Sequence, residues 1–142
     1  MPATVTQSRP NAWPRASILN LGMLLPTSVS TARQHTAAML SKWDLAHLTE
    51  NAQIVVSELV TNALLHGAGP ATVRLRANRE SLLIEVWDAL TAPPEPRQHV
   101  ADADGGRGLE IVSALSDSWG YYSREDGKVV WALTGSRIAT GG

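Results

Sequence analysis

The sequence predicts an α+β domain, a two-layer sandwich in which a mostly antiparallel mixed sheet carries about three helices on one face. Three observations point there. Apolar stretches of strand length come in adjacent pairs, 72–77 with 82–88 and 118–123 with 128–134, and strands joined by short turns pair antiparallel. Stretches with helical spacing stand outside those pairs, at 31–45, 48–66 and 109–116. The middle one is apolar on nearly every face (Ile54, Val55, Val56, Leu59, Val60, Ala63, Leu64, Leu65), which marks a buried helix.

Taken in order, residues 1–15 are polar with prolines and read as a flexible arm. Residues 16–25 suit an edge strand, closed by Pro26. Residues 27–30 supply helix-start side chains, and Ser30 is the expected N-cap of the helix 31–45. Gly67-Ala68-Gly69-Pro70 ends the second helix, since glycine caps a C-terminus and proline blocks continuation. In 72–77, Val73, Leu75 and Ala77 alternate with Arg74 and Arg76, a half-buried strand with an arginine-bearing solvent face. Residues 89–104 hold Pro93, Pro94 and Pro96 without apolar periodicity, and a loop of that length in a small domain suits a functional lid. Asp126-Gly127 is the hairpin turn of the last two strands. The domain is expected to span 16–135, with 136–142 a loose tail.

The chain has 142 residues, 44% of them hydrophobic, enough for one domain with a real core. A net charge of −1 with no run of Lys or Arg gives no electrostatic footprint for nucleic acid or an anionic membrane. The absence of cysteine excludes disulfides, thiolate metal sites and a Cys nucleophile. The apolar run 18–25 is too short to cross a bilayer. The expectation is a soluble, cytoplasmic protein.

The candidate chemistry sits in three places. Glu58 lies within the apolar helix, four residues before Asn62 and eight before His66, so the three share one stripe. A buried carboxylate is costly unless paired or bound to a cation. Carboxylate and amide oxygens together suit Mg²⁺, which takes few protein ligands beside phosphates and water. A partner such as an arginine on Glu58, with Asn62 bonded to backbone, is the plainer alternative. His66 suits the helix's last turn through the dipole and is also a candidate for lining a pocket. Asp88 ends the apolar strand 82–88. A carboxylate is an acceptor, and at a pocket floor it can take a hydrogen bond from an adenine amino group. Gly105-Gly106-Arg107-Gly108 then runs into a helix starting at Leu109. Glycines there allow close backbone approach, a helix N-terminus favours phosphate, and Arg107 can add a charge-assisted contact. No Gly-Lys-Ser/Thr follows, so this is not a P-loop.

In this order, Ser57-Glu58-Leu59-Val60-Thr61-Asn62-Ala63-Leu64-Leu65-His66, then Val86-Trp87-Asp88, then Gly105-Gly106-Arg107-Gly108-Leu109 resemble the GHKL superfamily of ATP-binding domains with the Bergerat fold. The superfamily includes histidine kinases, gyrase ATPase domains and anti-sigma-factor kinases. The chain is most similar to the small actinobacterial-type regulators resembling anti-sigma-factor serine/threonine kinases, over about 26–133. The resemblance implies ATP and Mg²⁺ as cofactors, Asn62 on the metal, and Glu58 as general base or positioner of the attacking hydroxyl. It implies Asp88 on the adenine amino group, and Gly106, Gly108 and the helix start on the phosphates. It also implies a homodimer, a STAS-domain antagonist as phosphate acceptor and a sigma factor as competing partner. The chain departs from the family's Asp-x-Gly-x-Gly box, because Asp88-Ala89 continues as Leu90-Thr91-Ala92. That departure gives weight to a second expectation, a regulatory module that binds partners without catalysis.

Overall fold

The computed structural model describes residues 12–91 and 108–135. The elements run β1 (Arg15–Met23), α1 (Pro26–Lys42), a 3₁₀ turn (Ala46–Leu48), α2 (Thr49–His66), β2 (Pro70–Ala77), β3 (Leu82–Asp88), α3 (Gly108–Leu115), β4 (Ser118–Arg124) and β5 (Gly127–Thr134). The five strands form one sheet in the order β1-β2-β3-β5-β4. All four pairings are antiparallel, so the sheet contains no parallel pair. The reason is local: β2–β3 and β4–β5 are hairpins, and β1 and β5 each join an open edge of a hairpin in the opposite direction.

The helices cover one face of the sheet. Successive side chains of a strand point to opposite faces, and one set meets the helices: Val73, Leu75 and Ala77 of β2, Leu82, Ile84 and Val86 of β3, Val130 and Ala132 of β5. Helix α2 lies centrally in the helical layer, between α1 and α3 and against β3 and β5. Its Ala52, Val55, Val56, Leu59, Val60 and Ala63 are buried, as its all-round apolarity demands.

Helix α1 begins at Pro26, not after Ser30. Proline at the first helical position has the right φ and lacks only an N–H that would be unpaired there. Ser28 does the capping: its backbone N–H donates to the Leu25 carbonyl at 2.8 Å, and its hydroxyl accepts from the Leu25 N–H at 3.0 Å. Ser30 is therefore already helical. Edge strand β1 is tied to this helix by Ser17 Oγ at 2.7 Å from His35 Nε2, and to the chain beyond it by Arg15 Nη1 donating to the Trp43 carbonyl at 2.8 Å. Strand β1 starts at Arg15, one residue inside the expected arm; the rest of that arm up to residue 11, and the tail 136–142, lie outside the described residues.

Arg74 and Arg76 do not simply face solvent. Both clamp Glu85, which pairs with Arg74 across β2 and β3 and is only 2% exposed. Each guanidinium contributes Nε and Nη2 to the two carboxylate oxygens, at 2.7–3.2 Å. The strand reads as apolar alternating with arginine because the acid that satisfies the arginines comes from the next strand. Such a doubly forked carboxylate holds the β2–β3 register on the face away from the helices. Glu85→Ala is expected to cost about 2–3 kcal/mol, moderated by the exposure of Arg74. Urea denaturation, with an unchanged m-value, checks it.

Candidate functional site

Helix α2 delivers the first group of candidates. One side of it is fully buried and the other partly so, with Glu58 half-buried and Asn62 9% exposed. Among the described residues, no ion pair or hydrogen bond satisfies either side chain. The plainer alternative, an arginine on Glu58 and a backbone group on Asn62, is thus not what this fold provides. Burial raises the Glu58 carboxyl above its ordinary value of 4.5, because desolvation penalises the charged form and no cation compensates. His66 ends the same stripe but is exposed, so its place in the last turn is the role the structure supports.

Helix α3 covers Glu58 from above. Its first residue is Gly108, and a Cβ there would stand 3.1 Å from Glu58 Oε1. The glycine thus lets the helix start approach the carboxylate. The unpaired N–H groups of α3's first turn open beside Glu58, a position suited to an anion. Leu109, at 9% exposure, anchors that turn in the core. Gly105, Gly106 and Arg107, and positions 92–104 of the expected lid, lie outside the described residues.

Asp88 marks the other end. It shares the parity of Ile84 and Val86, so it points toward the helical layer from the last rung of β3. There it meets the end of α2: a Cβ on Gly67 would lie 2.8 Å from the Asp88 carboxylate. Helix geometry places positions 58 and 67 about 13 Å apart along α2. The candidate side chains are therefore spread along the helix, with Glu58 against the start of α3 toward one end and Asp88 at the other.

The glycines missing after Asp88 are compensated by glycines from neighbouring segments. Residues 88 and 89 are hemmed in by Gly67, Gly69 and Gly127, where added side chains would strike Asp88, Ala89 and the Asp88 carbonyl. Gly127 has φ +153, a conformation other residues avoid. Asp88 Oδ1 also accepts from the Leu90 N–H at 2.8 Å, a turn that holds the start of the lid segment without a glycine.

One residue was not foreseen. Lys128, directly opposite Asp88 on β5, places Nζ 2.8 Å from Oδ2 and 3.1 Å from Oδ1, and both side chains are 2% exposed. The available signal was that Lys128 is one of only two lysines and interrupts an apolar strand. Its partner was hidden because the β3–β5 register spans the whole lid and α3. A separate cavity of about 290 Å³, lined by Arg74, Glu85, Trp87 and Arg124 among others, opens on the opposite face of the sheet and is not part of this site.

Fold and site together define an α+β domain whose polar candidates lie along its central helix and at the end of β3. Residues 23–134 match the histidine kinase-like ATPase domain family, and the chain belongs to it. The family is one of ATP-binding domains, which agrees with the polar stripe found here. No curated protein matches the chain.

The fit to Mg²⁺ is good on the side of the protein. Asn62 offers one hard oxygen, buried and without a protein partner, and the described residues hold no cluster of three His, Asp or Glu that would form a closed metal cage. A single protein oxygen completed by phosphates and water is what Mg²⁺ accepts.

The raised Glu58 carboxyl has a consequence for stability. The folded state holds this proton more tightly than the unfolded chain, so the contribution of the group is fully present below the unfolded value and is lost as pH rises through the folded one. Glu58→Gln removes that loss. The variant is expected to melt higher than wild type at pH 7 and to converge with it toward pH 4; calorimetric melting at both pH values checks it.

Proposed function

We propose that the chain is an ATP-dependent serine/threonine protein kinase of the anti-sigma-factor type. Its phosphate acceptor would be a Ser or Thr of a STAS-domain antagonist, and a sigma factor would compete for it. The observation that carries the reading is the unpaired couple Glu58 and Asn62 beneath the N-terminus of α3. A half-buried carboxylate next to a helix start that favours phosphate, with a buried amide one turn along, neither with a protein partner among the described residues, suits a ligand with anionic and cationic parts.

The groove orders ATP along α2, with the base toward Asp88 and the γ-phosphate toward Glu58. Asn62 would hold Mg²⁺, which supplies charge neutralisation on the phosphates when bound. Glu58 accepts or orients the proton of the incoming hydroxyl. The hydroxyl oxygen bonds to the γ-phosphorus as the bond to the β,γ-bridging oxygen breaks, and ADP leaves. A carboxyl raised by burial is a better base near neutral pH than a solvated one. The acid limb of the rate profile is accordingly set above the ordinary carboxylate value.

Exposed Ile18, Met23 and Leu25 on and after edge strand β1 support self-association, because an apolar edge of this kind favours pairing with a second copy. A cytoplasmic location agrees with the absence, among the described residues, of any helix long and apolar enough to cross a membrane.

A second reading is favoured by the Asp88–Lys128 pair, which engages both oxygens of the carboxylate that would take the adenine amino group. The chain would then hold its partner without transferring phosphate. Radiolabel transfer from γ-labelled ATP to a STAS-domain protein separates the two. Glu58→Ala is expected to lower transfer by about 10²-fold or more while ATP binding persists. Transfer that is unchanged in Glu58→Ala removes Glu58 from the mechanism, and no transfer by the wild type, with partner binding intact, favours the second reading.

A further inference from the structure

The ion pair at the acceptor end has a use beyond holding strands together. Lys128 is 1% exposed and Asp88 2%. Both belong to the helix-facing set of their strands, with Val86 and Val130, so the pair lies beside the end of α2, where Gly67 meets the Asp88 carboxylate. Two desolvated charges are an unfavourable way to fill space where an apolar pair would serve, which makes their hydrogen-bonding capacity the quantity to follow.

An ammonium has three N–H donors and a carboxylate about four lone-pair sites. Lys128 directs at most two N–H groups at Asp88, at 2.8 and 3.1 Å. Oδ1 accepts from Lys128 and from the Leu90 N–H, and Oδ2 accepts from Lys128 alone. Among the described residues, the pair thus keeps hydrogen-bonding capacity beyond its own contacts, a third N–H on Lys128 and a further lone pair on Oδ2. Gly67 keeps a side chain away from Oδ2, since a Cβ there would lie 2.8 Å from it. Buried capacity left over in this way is normally taken up by a ligand or an ordered water.

A donor beside an acceptor matches the edge of a purine at ring positions 6 and 1. Adenine presents an amino donor at 6 and an acceptor at 1, while a 6-oxopurine presents an acceptor at 6 and an N–H donor at 1. A lone carboxylate reads the first pattern and repels the second. An Asp–Lys pair satisfies either, with the two contacts exchanged. We propose that Lys128 is a base-reading residue that, with Asp88, opens this site to 6-oxopurine nucleotides as well as to ATP. The inference rests on the nucleotide reading of the groove.

Calorimetric titration of the full chain with ATP and with inosine triphosphate, both with Mg²⁺, tests it. The two ligands differ only at ring positions 6 and 1. Wild type is expected to bind the two within about tenfold of each other, whereas Lys128→Met favours ATP by a further tenfold or more, the worth of one good bidentate contact. Lys128→Gln, which keeps a donor, retains the wild-type preference. Wild type that binds ATP but weakens by more than about a hundredfold for inosine triphosphate overturns the proposal, whether or not the Met variant folds. A folded Met variant with wild-type preference also overturns it. Binding of neither nucleotide removes the groove's ligand altogether, and the base-reading role with it.

Discussion

A helix packed on every side has to account for each polar atom it carries. Helix α2 is the centre of this fold, flanked by α1 and α3 and seated on the sheet, and its apolar residues form much of the core. Within it, Glu58 and Asn62 find no protein partner among the described residues. The free energy that burial of Val55, Val56, Leu59 and Val60 supplies holds these two groups where solvent cannot fully serve them. Partial burial raises the Glu58 carboxyl above its ordinary value. The same constraint fixes Gly108, since only a residue without a side chain lets the start of α3 settle over the carboxylate.

The sheet end shows the opposite solution. Asp88 is more deeply buried than Glu58, yet it is matched by Lys128 and by the Leu90 N–H. Three glycines from other segments allow the chain to close around it. The carboxylate of Glu58 is thus left without a counter-charge among the described residues, whereas that of Asp88 has one. The Arg74–Glu85–Arg76 clamp, on the far face of the sheet, keeps β2 and β3 in the register that places Asp88 at the rim.

Much of this was readable in the sequence because it is local. Periodicity gave α2 and β3 nearly to the residue, and the four-residue spacing put Glu58 and Asn62 on one stripe. The start of α1 was misplaced because Ser30 and Ser28 are equally good caps on paper, and only Pro26 at the first helical position decides between them. Lys128 and the glycines around Asp88 were invisible for a different reason. The roles of Lys128 and Gly127 depend on which residue of β5 stands opposite which residue of β3, forty positions away, and those of Gly67 and Gly69 on the packing of the end of α2 against the end of β3. The arginines of β2 were read as solvated because their acid lies on another strand. Spacing within an element carries chemistry that can be read directly; register between distant elements does not.

The central claim is that the polar stripe of α2 and the start of α3 form a nucleotide groove that is completed by its ligand. Hydrogen–deuterium exchange with and without ATP and Mg²⁺ tests this most directly, because it reports on the backbone at each end independently of any activity. Nucleotide is expected to slow exchange in the C-terminal half of α2 and in the first turn of α3, with α1 and β1 unchanged. Identical exchange at millimolar ATP and Mg²⁺ would contradict it.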